Sequence, residues 1–239
     1  MESEKFCDIG KRELNEDYAL IYEERKAGVY VVADGLGGHK CGEVASETAA
    51  LTMREAFCAN PQSSSEAMRE LFEKAQNELL KKAREPEYNG MRTTAVALAI
   101  CGNIAVWGNV GDSRLYHIRN GAISSVTADH SVAYISYLNG EIKYDDIRNS
   151  PDQNRLIRSM GNEDKFKPDI SEPLEVIEGD AFLLCTEGCW EYIPEKEILS
   201  AYKKSATASR WLAKMVRVVE KNGKANPERD NCTAVTVFV

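Results

Sequence analysis

The hydrophobic pattern divides the chain into stretches of period two and stretches of helical period. From Thr94 to Ile100, larger side chains alternate with small ones, and similar strand-like segments continue to Val126. Gly102-Asn103 and Asn120-Gly121 separate some of these segments and are typical of tight hairpin turns. The pattern predicts an antiparallel meander rather than a series of alternating strands and helices.

Two blocks of helical period lie on either side of this meander. In the first block, Ala45, Ala49, Met53 and Ala56 share one helix face, and residues 63–66 fit the capping box of a second helix. The other block predicts helices over 195–201 and 206–219. Further strands are predicted over 18–22, 29–33, 174–177, 181–185 and 232–239, with 174–177 and 181–185 forming a hairpin.

These elements together predict one α+β domain. Its sheets are antiparallel, its helices pack outside them, and the polar residues 132–168 form an inserted flap. A length of 239 residues and a hydrophobic content of 43% suffice for a single large core, which we assign to residues 1–239.

The net charge and the cysteine content argue against several classes of partner and cellular location. The net charge of −8 argues against nucleic acid or an anionic membrane as the main partner. No apolar run approaches the ~20 residues of a membrane span, and the N-terminus lacks the apolar stretch of a signal peptide. Seven scattered cysteines fit reduced thiols better than a disulfide framework, so a cytoplasmic location is expected.

Acidic residues recur where predicted strands meet loops. Asp34 follows the apolar run 29–33 and begins a loop with three glycines in the next four residues. The other acids at such positions are Glu16, Asp17, Asp112, Glu187 and Asp230. Converging carboxylates repel one another unless cations neutralise them. Asp and Gly are also common in turns, so a purely structural role for these acids stays open.

Oxygen ligands without histidine or thiolate select Mg²⁺ or Mn²⁺ over zinc or copper. Two such ions at ~3.5–4 Å separation can share a water, lower its pKa and direct it at phosphorus. The acidic pattern is therefore consistent with hydrolysis of a phosphate ester.

Seven sequence blocks carry a resemblance to a known family. They are RELNED (12–17), VADGLGGH (32–39) with GEVAS (42–46), RTT (92–94), GNVGDSR (108–114), TADHS (127–131), LIRSMG (156–161) and DNCT (230–233). In order and spacing they resemble the metal-dependent protein serine/threonine phosphatases of type 2C, in their compact bacterial form.

The resemblance implies a four-layer α-β-β-α sandwich, in which helix pairs flank two antiparallel sheets. It also implies a centre of two Mg²⁺ or Mn²⁺ ions, with a third, weaker ion. A water bridging the two ions would attack phosphoserine or phosphothreonine without a covalent intermediate. The expected partners are phosphorylated proteins, among them a serine/threonine kinase or its targets, and the expected state is a monomer.

The same resemblance assigns roles to individual residues. Asp34 would bridge the two ions and Gly35 would contribute its carbonyl oxygen. Asp230 and Glu187 would hold one ion, while Glu16 and Asp17 would ligate or orient waters on the other. Asp112 would help to hold the third ion, and Arg12 would grip the substrate phosphate, since a guanidinium meets phosphate oxygens bidentately.

Three positions depart from the family pattern. Glu187 stands where aspartate is usual, which leaves open a catalytically weakened, phosphatase-like regulatory or binding module. Leu36 stands in place of the histidine that acts as general acid in some members, and His39 is expected to be a structural hydrogen-bonding residue. Gly10 is one residue closer to Arg12 than usual, which affects only the shape of that loop.

Other phosphate-processing classes do not fit. A cysteine phosphatase needs Cys-x5-Arg, but four residues separate Cys7 from Arg12. An aspartyl phosphatase of the haloacid dehalogenase type needs Asp-x-Asp-Gly, and only one aspartate precedes Gly35. The Gly37-x4-Gly42 spacing is followed by Glu43 rather than by the lysine of a nucleotide-binding loop.

Overall fold

Two antiparallel sheets lie face to face in the computed structural model, which describes residues 1–36 and 41–239. One sheet has five strands, in the spatial order β1 (Glu2–Asp8), β11 (Cys232–Phe238), β10 (Ala181–Cys185), β6 (Arg114–Arg119) and β7 (Ala122–Val126). The six-stranded sheet contains β2 (Asp17–Glu24), β3 (Ala27–Asp34), β4 (Ala95–Cys101) and β5 (Ile104–Val110), with β8 (Asp169–Ile170) and β9 (Leu174–Glu175) both paired to β5.

Helices cover the outer face of each sheet. Helices α1 (Gly42–Ala59) and α2 (Ser65–Lys82) share a buried core with the six-stranded sheet. Helices α5 (Glu195–Lys203) and α6 (Ala208–Gly223) share another with the five-stranded sheet. A third core, which includes Tyr30, Leu98 and Phe182, fills the space between the sheets. The predicted α+β arrangement of four layers is confirmed.

Strand β3 shows why an unbroken apolar run marks a central strand here. Val29 and Val31 pack into the core under α1 and α2, whereas Tyr30 and Val32 pack into the core between the sheets. Because successive side chains of a strand point to opposite faces, covering both faces leaves no position for polar alternation.

Shorter elements complete the chain. Helix α3 (Val132–Leu138) and a 3-10 helix (Tyr144–Asn149) lie within the predicted flap, and another 3-10 helix covers Pro86–Tyr88. Helix α4 (Glu187–Trp190) follows β10 directly and was not predicted. Within the described residues, the structure contains no helix that is both long enough and apolar enough to span a membrane.

Three local predictions are wrong. The strands over 94–126 do not form one meander, because β4 and β5 belong to the six-stranded sheet whereas β6 and β7 belong to the five-stranded sheet. Ser64 rather than Ser63 caps α2 and accepts a hydrogen bond from the Ala67 N–H, so Glu66 does not occupy the third position that a capping box requires. The segments 174–177 and 181–185 do not form a hairpin, because β9 pairs with β5 whereas β10 pairs with β6 and β11. The chain therefore crosses from one sheet to the other at this turn.

Candidate active site

Strand alternation aims two of the predicted acids at the space between the sheets. Asp34 continues the face of β3 that carries Tyr30 and Val32, the side chains in the core between the sheets. Asp17 is its direct cross-strand partner on β2. Residues opposite one another in an antiparallel pair project to the same side, so these two carboxylates come together.

The five-stranded sheet supplies acids from the other side. Thr186 donates a hydrogen bond through Oγ1 to Oδ2 of Asp17 over 2.9 Å, and this contact joins the two sheets. Its Oγ1 also accepts the Thr233 N–H at 3.0 Å. Glu187 follows at once as the first residue of α4. A Cβ on Gly188 would overlap the carbonyl oxygen of Asn231, so α4 lies directly against the residue that follows Asp230.

Asn231 fixes the loop that carries Arg12 and Glu16. Its Oδ1 accepts the Glu16 N–H at 2.8 Å, and its Nδ2 donates to the carbonyl oxygens of Ile9 at 2.8 Å and Leu14 at 3.1 Å. Sequence reasoning quoted Asn231 only as part of a motif and missed this role. A buried amide that satisfies three backbone groups positions the whole loop against Asp230.

Arg12 and Gly10 bring this loop onto Asp230 itself. The Nη2 of Arg12 lies 2.8 Å from Oδ2 of Asp230. Gly10 adopts a φ of +66°, and a Cβ there would overlap the carbonyl oxygen of Asp230. Gly10, which lies one residue closer to Arg12 than the family pattern predicts, therefore permits a close approach of the two backbones.

Close backbone contact also surrounds Gly35. Its N–H donates to the carbonyl oxygen of Glu16 at 3.0 Å. A Cβ on Gly35 would overlap the backbone of Gly42 and lie 2.7 Å from that same Glu16 oxygen. The Ser46 hydroxyl donates to this oxygen as well, at 2.6 Å. The backbone of the Glu16 loop is thus in direct contact with the loop after β3 and with the start of α1.

Thr93 and Thr94 hold the backbone of Asp34. The carbonyl oxygen of Asp34 accepts the Thr94 N–H and the Thr93 Oγ1 hydroxyl, both at 2.8 Å. The Asp34 N–H donates to Thr94 Oγ1 at 3.2 Å, and that hydroxyl shares a 2.7 Å hydrogen bond with Ser113. These contacts explain why two adjacent threonines precede β4.

Asp112 is held through Trp190 and a buried ion pair. The indole Nε1 of Trp190 donates to the Asp112 carbonyl oxygen at 2.9 Å, and its ring lies 3.7 Å from the Arg114 guanidinium carbon. Arg114 binds Asp129 bidentately, at 2.8 and 2.6 Å, with both side chains buried. Two sequence blocks, 108–114 and 127–131, are thereby joined behind the site.

The resulting cleft measures about 430 Å³. All of the predicted site residues line it except Asp17, which lies buried beneath; those in the lining are Arg12, Glu16, Asp34, Gly35, Asp112, Glu187 and Asp230. Leu36 lines it too, and so do Arg92 and Lys165, which sequence reasoning did not single out as site residues. His39 lies outside the described residues.

Comparison with known proteins decides the family. A profile of protein phosphatase 2C matches residues 8–229. The chain belongs to the protein phosphatase 2C family. The resemblance carried by the seven sequence blocks is thereby confirmed, and with it the class of enzyme, a protein serine/threonine phosphatase.

Relatives of this phosphatase extend over most of its length. It is 33% identical over 218 residues to the serine/threonine phosphatase stp of Listeria innocua, which covers 87% of this chain and 86% of the relative. The crystal structure of Stp1 from Staphylococcus aureus superposes with a TM-score of 0.88 at 29% identity, over 100% of this chain and 95% of that one. The catalytic domain of PstP, crystallised with two manganese ions, gives a TM-score of 0.82 at 25% identity, over 98% and 96%.

Burial and mutual repulsion raise the pKa values of four acids in the phosphatase site. Burial raises the pKa of Asp17 and of Asp112, each to about 7. Burial, followed by the charges of Asp17 and Asp112, raises the pKa of Asp34 well above its ordinary value. The pKa of Glu187 is raised in the same way, by burial and then by Asp112. These carboxylates are costly to ionise together without a cation.

The donor set fits a hard divalent ion. Oδ1 of Asp17 and Oε1 of Glu187 are buried and have no hydrogen-bond partner in the described part of the chain, and every acid in the cleft offers oxygen. Across residues 1–36 and 41–239, no three acidic, histidine or cysteine side chains form a ready-made cage for an ion. Mg²⁺ does not require one, because it keeps several waters and takes only one or two carboxylates.

The cysteines near the site are mostly internal. Cys185, Cys189 and Cys232 are buried, Cys41 is half-buried, and all seven cysteines, each within the described part of the chain, are free thiols. Buried thiols of this kind act as small hydrophobic side chains.

Proposed function

We propose that this phosphatase hydrolyses phosphoserine and phosphothreonine in proteins with Mg²⁺ or Mn²⁺ and without a phosphoenzyme. The observation that carries the proposal is the cleft in which five acids, Glu16, Asp34, Asp112, Glu187 and Asp230, come together from separate elements. Arg12 is the basic residue at its Asp230 side. An acidic site with an arginine beside one of its carboxylates suits cations that in turn bind a phosphate.

The residues would divide the work as follows. Asp34 lies centrally between the two sheets and would bridge two ions, with the Gly35 carbonyl oxygen beside it. Asp230 and Glu187 would hold one ion, and Glu16 and Asp17 would act on the other or on its waters. Asp112 would help to hold a third, weaker ion.

When bound, such ions supply a water of lowered pKa as the nucleophile and neutralise charge on the phosphate. Arg12 would bind the phosphate oxygens and fix the phosphoryl group for in-line attack. Leu36 offers no proton, so the leaving alkoxide would take its proton from water. A cysteine or aspartate nucleophile has no part in this scheme.

The comparisons support the metal and the substrate class. PstP binds two manganese ions in its catalytic domain, and the Listeria and Staphylococcus relatives are serine/threonine phosphatases. We extend both properties to this chain, with phosphorylated proteins as substrates and a serine/threonine kinase or its targets among them. We further propose that the protein acts in the cytoplasm as a monomer.

The test is phosphate release from a phosphothreonine peptide. Mn²⁺ or Mg²⁺ should be required, EDTA should abolish release, and iodoacetamide should leave most of it. Asp34→Asn should lose at least a hundredfold in kcat, whereas Asp145→Asn, at an exposed position in the flap, should not. Release that survives EDTA but not iodoacetamide would point to a cysteine nucleophile instead.

A second candidate function rests on Glu187. Its Oε1 is buried and has no hydrogen-bond partner among the residues that the structure describes. This oxygen is one methylene farther from the backbone than an aspartate oxygen would be, and a dinuclear site is sensitive to shifts of ~1 Å. The protein could then be a phosphatase-like regulatory or binding module. That function is favoured if the wild type releases no phosphate with either ion and Glu187→Asp does. It is rejected if the wild type is active and Glu187→Gln weakens Mn²⁺ binding by calorimetry.

A further inference from the structure

Arg92 stands out among the arginines of the core and the cleft. Its Nε is buried, and among residues 1–36 and 41–239 this atom has no hydrogen-bond partner and the guanidinium makes no ion pair. Other buried or half-buried arginines each bind a carboxylate: Arg114 binds Asp129, Arg119 binds Asp180, Arg148 binds Glu195, Arg158 binds Asp169 and Arg229 binds Asp8. Arg92 instead lines the cleft. Its side chain is therefore available to an anion that enters from solution.

The backbone fixes Arg92 between the Asp34 loop and the flap. The Leu36 N–H donates to the Arg92 carbonyl oxygen at 3.0 Å. Next to Arg92, Thr93 holds Asp34 on one side and accepts the Met160 N–H at 2.9 Å on the other. Arg92 is thus held at a defined point of the cleft wall.

The two sheets separate Arg92 from Arg12. Arg12 pairs with Asp230, just before β11 of the five-stranded sheet, whereas Arg92 lies just before β4 of the six-stranded sheet. Neighbouring strands are ~4.8 Å apart, so the backbone of Arg92 lies about one strand from the Asp34 loop, with which it pairs. A phosphate gripped by Arg12 would leave Arg92 free for a different group.

Lys165 adds a second cation to this side of the cleft. Its carbonyl oxygen accepts the Ser159 N–H at 3.3 Å, and Ser159 directly precedes Met160, the partner of Thr93. The Lys165 side chain is exposed and makes no ion pair with any described residue. Arg92 and Lys165 thus add two positive charges to the cleft lining, separate from the pair of Arg12 and Asp230.

We propose that Arg92 and Lys165 form a second anion subsite that selects substrates with an acidic group near the phosphorylated residue. The inference rests on the proposed function and adds a substrate preference to it. An extended peptide advances ~3.3 Å per residue, so the second group belongs to a residue one or two positions from the phosphorylated one. A carboxylate side chain or a second phosphate has the required chemistry, because a guanidinium fork binds either one bidentately.

Three peptides of one sequence test the subsite. Each carries one phosphothreonine, and its neighbouring positions hold alanine, aspartate or a second phosphothreonine. With Mn²⁺, the wild type should show a KM about tenfold lower for the aspartate or doubly phosphorylated peptide than for the alanine peptide. Preference for both identifies any close anion as the ligand, and preference for the doubly phosphorylated peptide alone identifies phosphate.

Two variants and a control show whether Arg92 and Lys165 determine the preference for acidic peptides or act on all substrates alike. Arg92→Gln should reduce the preference to within about twofold, and Lys165→Gln, at an exposed position, should reduce it in part. Arg155→Gln is the matched control, because Arg155 lies on the flap, is 68% exposed and pairs with Asp152. It should keep the full preference. Lys165→Gln remains informative if Arg92→Gln fails to fold.

The subsite is rejected if the wild type does not discriminate, or if Arg92→Gln weakens all three peptides by one factor. A wild type that releases no phosphate from any peptide contradicts the proposed function alone. The subsite is then measured as affinity, with non-hydrolysable difluorophosphonate versions of the peptides and fluorescence anisotropy. The same tenfold ratio, and its loss in Arg92→Gln, is expected there.

Discussion

The guanidinium of Arg12 lies 2.8 Å from the carboxylate of Asp230. The two side chains are 52% and 42% exposed, so solvent screens their attraction and the pair exchanges readily. Asp230 is held in turn by the N–H of Asn231 at 2.8 Å. Arg12 can therefore exchange the carboxylate for a phosphate while Asp230 keeps its place in the site.

This exchange predicts the effect of Arg12→Lys. Lysine keeps the charge but loses the second, parallel hydrogen bond to a phosphate, and a charge-assisted bond is worth about 1.5–3 kcal/mol. We expect kcat/KM for a phosphothreonine peptide to fall about 10- to 100-fold, with KM rising. Steady-state kinetics of Arg12→Lys beside Arg155→Lys, on the exposed flap, measure it. Equal kinetics for the two variants would exclude phosphate binding by Arg12.

The sequence predicts the layers of this fold because its signals are local. Strands β3 and β4 are both buried on two faces, and β4 alternates because its alanines face the helices while its larger side chains fill the space between the sheets. The crossing of β9 to β5 could not be predicted in this way, since the turn before β10 looks like any hairpin turn. What distinguishes it is long-range: Asp180 in that turn binds Arg119 at 2.6 Å.

The sequence predicts the charged residues of the candidate site, but it does not predict the residues that hold them in place. Carboxylates at strand ends are visible in sequence because their chemistry is unusual there. Asn231, Thr186 and Arg92 cannot be recognised in this way, because their importance depends on which polar groups they contact, or do not contact, in the folded chain. Helix α4, with four residues, is too short to show any periodicity.

Gly35 gives a second prediction. An added Cβ would overlap Gly42 and force the loop after β3 away from Glu16. We expect Gly35→Ala to lose at least tenfold in Mn²⁺ affinity and in kcat, because the proposed ligands on both sides move. Gly102→Ala is the control: its φ of +64° strains alanine, but no described atom lies within 4 Å of the new Cβ. It should lower the melting temperature slightly and leave Mn²⁺ affinity unchanged, as calorimetry would record.

The buried acids predict an unusual pH dependence of stability in EDTA. The pKa of Asp17 and of Asp112 is about 7 in the folded chain but near ~3.9 when unfolded, so between these values the folded state binds more protons. Stability should therefore fall as pH rises through 7. Burial lowers the pKa of His130, which opposes this trend only below pH ~6.5.

Mn²⁺ should remove this dependence, because the ions take the place of the protons. The rise in melting temperature on adding Mn²⁺ should be larger at pH 8 than at pH 6.5, as measured by differential scanning calorimetry. Asp34→Asn should show a reduced rise at both values. An equal rise at the two pH values would mean that the acids do not bind protons and Mn²⁺ in competition.

The buried pair of Arg114 and Asp129 predicts a large loss of stability on its disruption. Their side chains are 2% and 1% exposed, and Asp129→Ala would leave a buried guanidinium whose remaining polar contacts among the described residues are Tyr116 and, at 3.6 Å, Glu195. Removing one partner of such a pair costs about 3–5 kcal/mol. Asp152→Ala breaks the exposed pair with Arg155 and should cost about 0–1 kcal/mol. Urea unfolding of both variants measures the two losses in the free energy of unfolding. Similar losses would mean that Arg114 pairs with another group when Asp129 is removed. The positions of Trp190 and Asp112 would then not depend on Asp129.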